Sequence, residues 1–570
     1  MFERRVRVDT NVSSYNLLDE PWIELTTANG GTRSVSLVEA FRTAHEATGI
    51  TGEMPQMNFV TLRLLLAILY RVYAYPIEDT RLARALWKQL WNRGCFDMEE
   101  ISSYLESHRD GFYLIDSSRP FFQTANLAYS GKAEGTCSPI AELMPDIPKP
   151  GKFLFSTRSL EGASSLSMDE AARYLILAQG YDIAGIRTPV AGNTHVKSGK
   201  VYAPKGAVGT GWCGAVGGTF MEGNNLFETL MLNFVLFDRR NDRGCLLGIE
   251  GDVPPWERES PSSDLIQVDP CGPVQMLTWQ GRRVRLVPDG ERSKITGVVI
   301  CYGDVTNAID KQDCEMMTPW RASQAQQKKL GTAHVPWLPR QHDPRRAIWR
   351  SLAPLLSAES DHSEDLRPGV VRWVNSLVDE GAINQSYRLS IHAQGMSYGS
   401  QSSAYEEAVD DSVNMYALMA CSDSTVVEKC VEVVEQTEEA VKRLCDFVSE
   451  VEMAHGDKRR DATASAVKDD VRERAYDELD GLFRMRIAGF AADVDPLEYC
   501  NQWRSDVKKT LWSLADDYLV STGASLFEER VNEKTGKSFS AGSSLAKLHV
   551  MLSRVLPNES KSCIASQDVE

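Results

Sequence analysis

The change of texture near residue 405 constrains the fold of this 570-residue chain more than any other feature. Beyond Tyr405 glycine and proline thin out, and apolar side chains recur at three- and four-residue steps. Val427, Cys430, Val434, Val441, Leu444, Val448 and Val451 fall on one face of a helix spanning 426–451. The same rule predicts a second helix over 467–490 and a third marked by Trp503, Val507, Leu511, Leu514 and Tyr518. Leu545, Leu548, Leu552 and Val555 mark a shorter fourth. With an opening helix over 404–420, residues 405–570 are expected to form a helical domain built on a four-helix bundle. Before residue 405, β-type runs such as 284–287 and 295–302 mix irregularly with helical stretches at 57–75 and 168–179. This predicts an α+β class: a large, irregular mixed domain over 1–404 followed by the bundle. Regular strand and helix alternation, as in a doubly wound sheet, is missing.

At this length the chain should divide into two or three domains, and 42% apolar with 25% charged residues is an ordinary globular balance. The opening MFERRVRVDT lacks the apolar core of a secretory signal, and the longest apolar stretch, 64–70, is far too short to span a bilayer. A cytoplasmic protein without a membrane partner is expected. The twelve cysteines include no C-x-x-C pair and the nine histidines no H-E-x-x-H, so neither a metal site nor another cofactor is expected.

The net charge of −17 is unevenly distributed. From Tyr405 onward there are 33 acidic and 20 basic residues, against 46 and 42 before it. Within the earlier part, 183–221 is 39 residues without Asp or Glu, with nine glycines, Arg187, His195, Lys197, Lys200 and Lys205. Bare backbone N–H groups beside cations suit phosphates or the floor of a DNA groove, although a Gly-rich surface loop has the same composition. The segment 318–350 carries seven basic residues, a single acid, Asp343, and Trp320, Trp337 and Trp349. That mixture fits a polyanion-contacting arm or a protein-docking loop.

No phosphate-cradling P-loop is present, since KTGKS at Lys534 lacks the first glycine of that motif. Gly395-Met396-Ser397-Tyr398-Gly399 does match G-x-S-x-G after a strand-like RLSIHAQ, which would put a nucleophile at Ser397. Only His455 and His549 follow it, both in the region read as helical, so a hydrolase triad is poorly served.

Several blocks, in order, resemble one family. Tyr15-Asn16-Leu17-Leu18-Asp19-Glu20-Pro21-Trp22-Ile23 is similar to the N-terminal signature of CasA, the large subunit of the type I-E CRISPR surveillance complex Cascade. Arg119-Pro120-Phe121-Phe122-Gln123 and Ala178-Gln179-Gly180-Tyr181-Asp182-Ile183-Ala184-Gly185 also resemble the family, as do 226–236 and the closing helices. The resemblance implies a non-enzymatic subunit that reads the PAM, a short motif beside the target, in double-stranded DNA. In such proteins a glycine loop, a lysine and a glutamine-bearing turn act from the minor groove, and the turn wedges the strands apart.

Carried over by position, the glycine loop falls at Gly185, where the acid-free stretch begins. Relatives can have several glycines in a row. Here Ile186-Arg187-Thr188-Pro189 follows, and Arg187 is expected to take part of the groove contact. The wedge corresponds to Ser400-Gln401-Ser402, and the lysine to Lys311, with Lys328 or Lys329 as substitutes. Lys197, Lys200, Lys205, Lys328 and Lys329 are candidate strand or phosphate contacts. The loop that contacts guide RNA and docks the subunit resembles FLFSTR at 153–158, with Phe155, Thr157 and Arg158 as contacts; a strand packing its phenylalanines inward would read identically. Lys458-Arg459-Arg460 and Lys508-Lys509 are candidate contacts of the helical domain, to the displaced strand or to the helicase-nuclease. The implied partners are other Cascade subunits, CRISPR guide RNA, double-stranded target DNA and that helicase-nuclease. A protein-binding scaffold without DNA readout, or a serine hydrolase using Ser397, are the alternatives.

Overall fold

The computed structural model describes residues 15–73, 80–147, 162–238, 244–356, 366–420, 425–455, 460–491, 493–522, 530–531 and 538–558. Backbone contacts group the chain into two units that interleave along the sequence. The first comprises Met1–Pro344, Leu366–Trp373 and Ile391–Asp411; the second comprises Arg345–Asp365, Val374–Ser390 and Ser412–Glu570.

The first unit is mixed and irregular, as its sequence predicts. It opens with an antiparallel sheet of Ile23–Thr27 (β1), Thr32–Val35 (β2) and Ala47–Thr51 (β3), in the order β2-β1-β3. Helix Gln56–Val72 (α1) follows and is buried around nearly its whole circumference, as an apolar run without a polar face must be. Helix Met168–Tyr181 (α2) starts at a capping box in which the Glu170 carboxylate accepts from the Ser167 backbone N–H at 3.1 Å. It stops at Asp182, whose extended ψ of 148° turns the chain out of the helix.

Beyond it lie a hairpin of Val196–Lys197 (β4) and Lys200–Val201 (β5), and a strand at Gly218–Glu222 (β6). Ser198 and Gly199 both have positive φ, which gives the hairpin the primed turn that matches strand twist. Arg282–Pro288 (β7) and Ile295–Tyr302 (β8) pair antiparallel, at the positions expected from their β-branched runs. Arg388–Tyr398 (β9) and Tyr405–Tyr416 (β10) join β6 in a sheet ordered β10-β9-β6.

Residues 405–416 therefore form a strand where a helix was expected. Val409 and Val413 are both buried, and their four-residue spacing fits a helix face and one face of a strand equally.

The four long helical segments are found at Thr425–His455 (α3), Arg460–Ala488 (α4), Pro496–Thr522 (α5) and Ala541–Val555 (α6). All seven apolar residues that define the first predicted face, from Val427 to Val451, are buried. Helix α3 packs against α4, α5 and α6, and α5 also packs against α4 and α6. Trp349 belongs to this unit: it stacks on Phe483 with ring centroids 3.9 Å apart and donates to Asp480 at 2.9 Å. Trp320 and Trp337 are buried in the first unit. The tryptophans of the basic segment are thus core residues, which overturns the expectation that they serve a polyanion-contacting arm or a protein-docking loop.

One half-buried histidine makes the first unit acid-sensitive. The His342 imidazole lies against the Gly218 carbonyl at 3.0 Å, and burial lowers its pKa to about 4. The unfolded chain binds a proton near pH 6.5 that the folded chain refuses until about pH 4. Stability is therefore complete above pH 6.5 and declines as pH falls from there to about 4, by about 3 kcal/mol in all. Thermal midpoints measured across that window should show this slope, and His342→Gln should flatten it.

Candidate nucleic-acid interface

Two segments far apart in sequence meet in the first unit. The chain leaving α2 at Asp182 and the turn between β9 and β10 are joined by a backbone bond from Ala184 N–H to the Ser402 carbonyl, 2.8 Å long. The predicted glycine loop and the predicted wedge are thus neighbours. In addition, the Tyr398 hydroxyl donates to the Tyr181 carbonyl at 2.7 Å across 217 residues of sequence.

Gly185 has a negative φ, and a Cβ built there would meet only the Ile183 side chain, at an ordinary 3.6 Å. The fold itself does not require glycine at this position. Gly211 is different: a Cβ there would lie 2.3 Å from the Gly180 carbonyl carbon, so this glycine lets two backbones touch. Part of the acid-free stretch is accordingly glycine-rich for packing.

Gln401 and Ser402 both adopt left-handed backbone conformations, with φ of 57° and 52°. Such conformations cost roughly 1 kcal/mol or more for a residue with a Cβ. The turn is closed by bonds from Gly399 N–H to Ala404 O and from Ser402 N–H to Gly399 O, which leave Ser400 and Gln401 exposed. A strained tip carrying an exposed amide is a feature commonly associated with functional loops.

The cations differ in availability. Arg187 is buried, and its guanidinium is committed to the Asp182 carboxylate and the Ile183 carbonyl; it braces the loop from within instead of facing a groove. Lys311 pairs with Asp269 at 2.9 Å and is 11% exposed. Hydrogen bonds from Thr306 and Lys311 hold the Asp269 carboxyl below the usual range. Lys197, Lys200 and Lys205 are exposed, as are Lys328 and Lys329 in the last turn of the helix Gln324–Leu330. His195 faces Asp264 at 3.2 Å, a partner from outside the acid-free stretch. Phe155, Thr157 and Arg158 lie outside the described residues, as do Lys458 and Arg459.

Ser397 sits within β9, and a tight 3-10 turn and another strand follow it. A nucleophile elbow needs a strand, a sharp turn at the serine and then a helix. The glycines around Ser397 therefore do not build that device, and the hydrolase reading loses its structural basis. Among the described residues no group of His, Cys, Asp and Glu could hold a metal, and no helix is long and apolar enough to cross a membrane.

A mixed unit together with a unit of long packed helices is a fold shared with solved CRISPR-associated proteins. A family model for CRISPR-associated protein Cse1 matches residues 16–517, and the chain belongs to that family. The crystal structure of Thermobifida fusca Cse1 superposes with a TM-score of 0.84 at 32% identity, covering 96% of this chain and 99% of that one. CRISPR-associated protein CasA/Cse1 of Thermus thermophilus is 26% identical over 381 residues, which are 65% of this chain and 66%, just under two thirds, of that protein. A chain of a CRISPR RNA-guided surveillance complex shares the fold with a TM-score of 0.67 at 16% identity, over 95% of this chain and 99% of that one. The family expected from the sequence blocks is borne out.

Proposed function

We propose that this chain is the subunit of the RNA-guided Cascade complex that reads the PAM of double-stranded DNA through the minor groove, helps open the duplex for R-loop formation, and supports recruitment of the helicase-nuclease. The observation that carries the reading is the direct bond between the segment holding Gly185 and the turn holding Gln401. A bare backbone can approach base edges in a groove too narrow for most side chains. A side chain beside it is then placed to part the adjacent base pairs, at a cost of a few kcal/mol in stacking that the guide RNA recovers by pairing.

In this reading Lys311 enters the groove after releasing Asp269. That carboxylate is 66% exposed, so the pair is a surface one worth at most about 1 kcal/mol. Lys197 and Lys200 on the β4–β5 hairpin, with Lys205, meet phosphates, and Lys328 and Lys329 lie in reserve. Arg187 supports the loop. The guide-RNA and docking role of Phe155, Thr157 and Arg158 rests on the family resemblance alone. A free subunit of charge −17 should bind bare DNA weakly, so the function belongs to the assembled complex with its guide RNA.

Gln401→Gly tests the wedge cleanly, because glycine relaxes the left-handed position while deleting the side chain. In the reconstituted complex, strand opening next to the PAM, read by 2-aminopurine fluorescence, should slow about tenfold or more, in line with a few kcal/mol per unstacked step. Unchanged opening and unchanged PAM dependence would favour a scaffold without DNA readout.

A further inference from the structure

The segment from Tyr181 to Gly185 is tied down carbonyl by carbonyl. Tyr181 O accepts from the Tyr398 hydroxyl at 2.7 Å, and Asp182 O from Gly211 N–H at 2.8 Å. Ile183 O accepts from Arg282 at 2.9 Å and from Arg187 at 3.0 Å. Gly185 O accepts from the Tyr302 hydroxyl at 3.0 Å. Among the described residues the N–H of Gly185 meets no protein acceptor. The loop is therefore held with most of its acceptors turned into the protein and a donor left over.

A single buried node does much of this holding. The Asp182 carboxylate, 2% exposed, takes both Arg187 and Arg282. Burial opposes its charge, but the two guanidiniums outweigh burial and keep its carboxyl below the usual range. Arg282, fully buried, also donates to Gly209 O at 2.8 Å and lies over the Tyr302 ring at 4.9 Å. Its planar fork thus fixes one carboxylate, the four backbone carbonyls of Asp182, Ile183, Gly209 and Gly281, and the tyrosine that holds Gly185.

We infer that Arg282 and Tyr302, gathered around Asp182, are positioning residues for DNA readout: they orient the Gly185 backbone so that it presents a hydrogen-bond donor to acceptor atoms on base edges. This rests on the PAM-reading function proposed above. Neither residue touches DNA in this account, and their effect passes entirely through the backbone they hold.

Tyr302→Phe is the sharpest test, since it keeps the ring and removes only the hydroxyl bonded to Gly185. A reconstituted complex would be titrated with a target duplex carrying the best-bound flank from a randomised pool, and with the same duplex carrying a scrambled flank. The ratio of the two affinities should fall about three- to tenfold, the effect of one lost hydrogen bond, while scrambled-flank affinity stays unchanged. Arg282→Lys keeps a cation on Asp182 but loses the fork, and should reduce the ratio further. An unchanged ratio in Tyr302→Phe, or a parallel fall in both affinities, would overturn the positioning role and leave PAM reading intact. Equal binding of both duplexes by the unmodified complex would overturn the PAM reading itself.

Discussion

Gly185→Asp is expected to weaken PAM-dependent duplex binding by the assembled complex about a hundredfold or more. Two effects act together. A side chain intrudes where only backbone fits the groove, and a carboxylate faces the phosphates on either side. Like charges brought together at an interface cost several kcal/mol, and each 1.4 kcal/mol is a factor of ten. The free protein tolerates the change, because a Cβ at Gly185 makes only ordinary contact with the Ile183 side chain and its φ is negative. Gly185→Ala separates the two effects: it should fold normally and still bind more weakly, through intrusion alone. Equilibrium titrations of both variants, with thermal midpoints as the folding control, check this. Undiminished affinity in the aspartate variant would remove Gly185 from the interface.

The second large effect is on stability. Arg63 and Glu315 form a bidentate pair at 2.9 Å with both side chains 1% exposed, and the carboxylate also accepts from Trp212 Nε1 at 2.6 Å. Arg63→Met leaves that carboxylate buried without its counter-ion. Removing one partner of such a pair typically destabilises by about 3–5 kcal/mol. The thermal midpoint should fall by several degrees. Arg63→Met combined with Glu315→Gln should recover part of the loss, because no buried charge remains, although the strong Trp212 bond is weakened. A midpoint that does not move in the single variant would mean that water reaches this pair.

The legibility of this chain follows the range of its interactions. The faces of α3 to α6 were readable because helix periodicity is local, and the buried Val427 to Val451 set matches it residue by residue. The strand at Tyr405–Tyr416 was not, since buried positions four apart satisfy both periods. The tryptophans at 320, 337 and 349 misled because basic and aromatic residues in one segment do not reveal which of them face inward. Gly185 and Gln401 were singled out through a family resemblance, and no pattern along the chain shows that their segments touch. Arg187 read as a free cation because one of its competitors for Asp182, Arg282, stands 100 residues away from that carboxylate. Buried ion networks of this kind join distant segments, and sequence order carries no trace of them.

The most direct test of PAM reading compares complexes assembled with the unmodified subunit, with the Gly185→Asp subunit and with none, on duplexes that differ only in the base pairs beside the target. The account predicts flank-dependent binding with the unmodified subunit alone, and its loss in the other two. Equal flank dependence in all three would contradict it, and would leave the chain as a structural member of the complex.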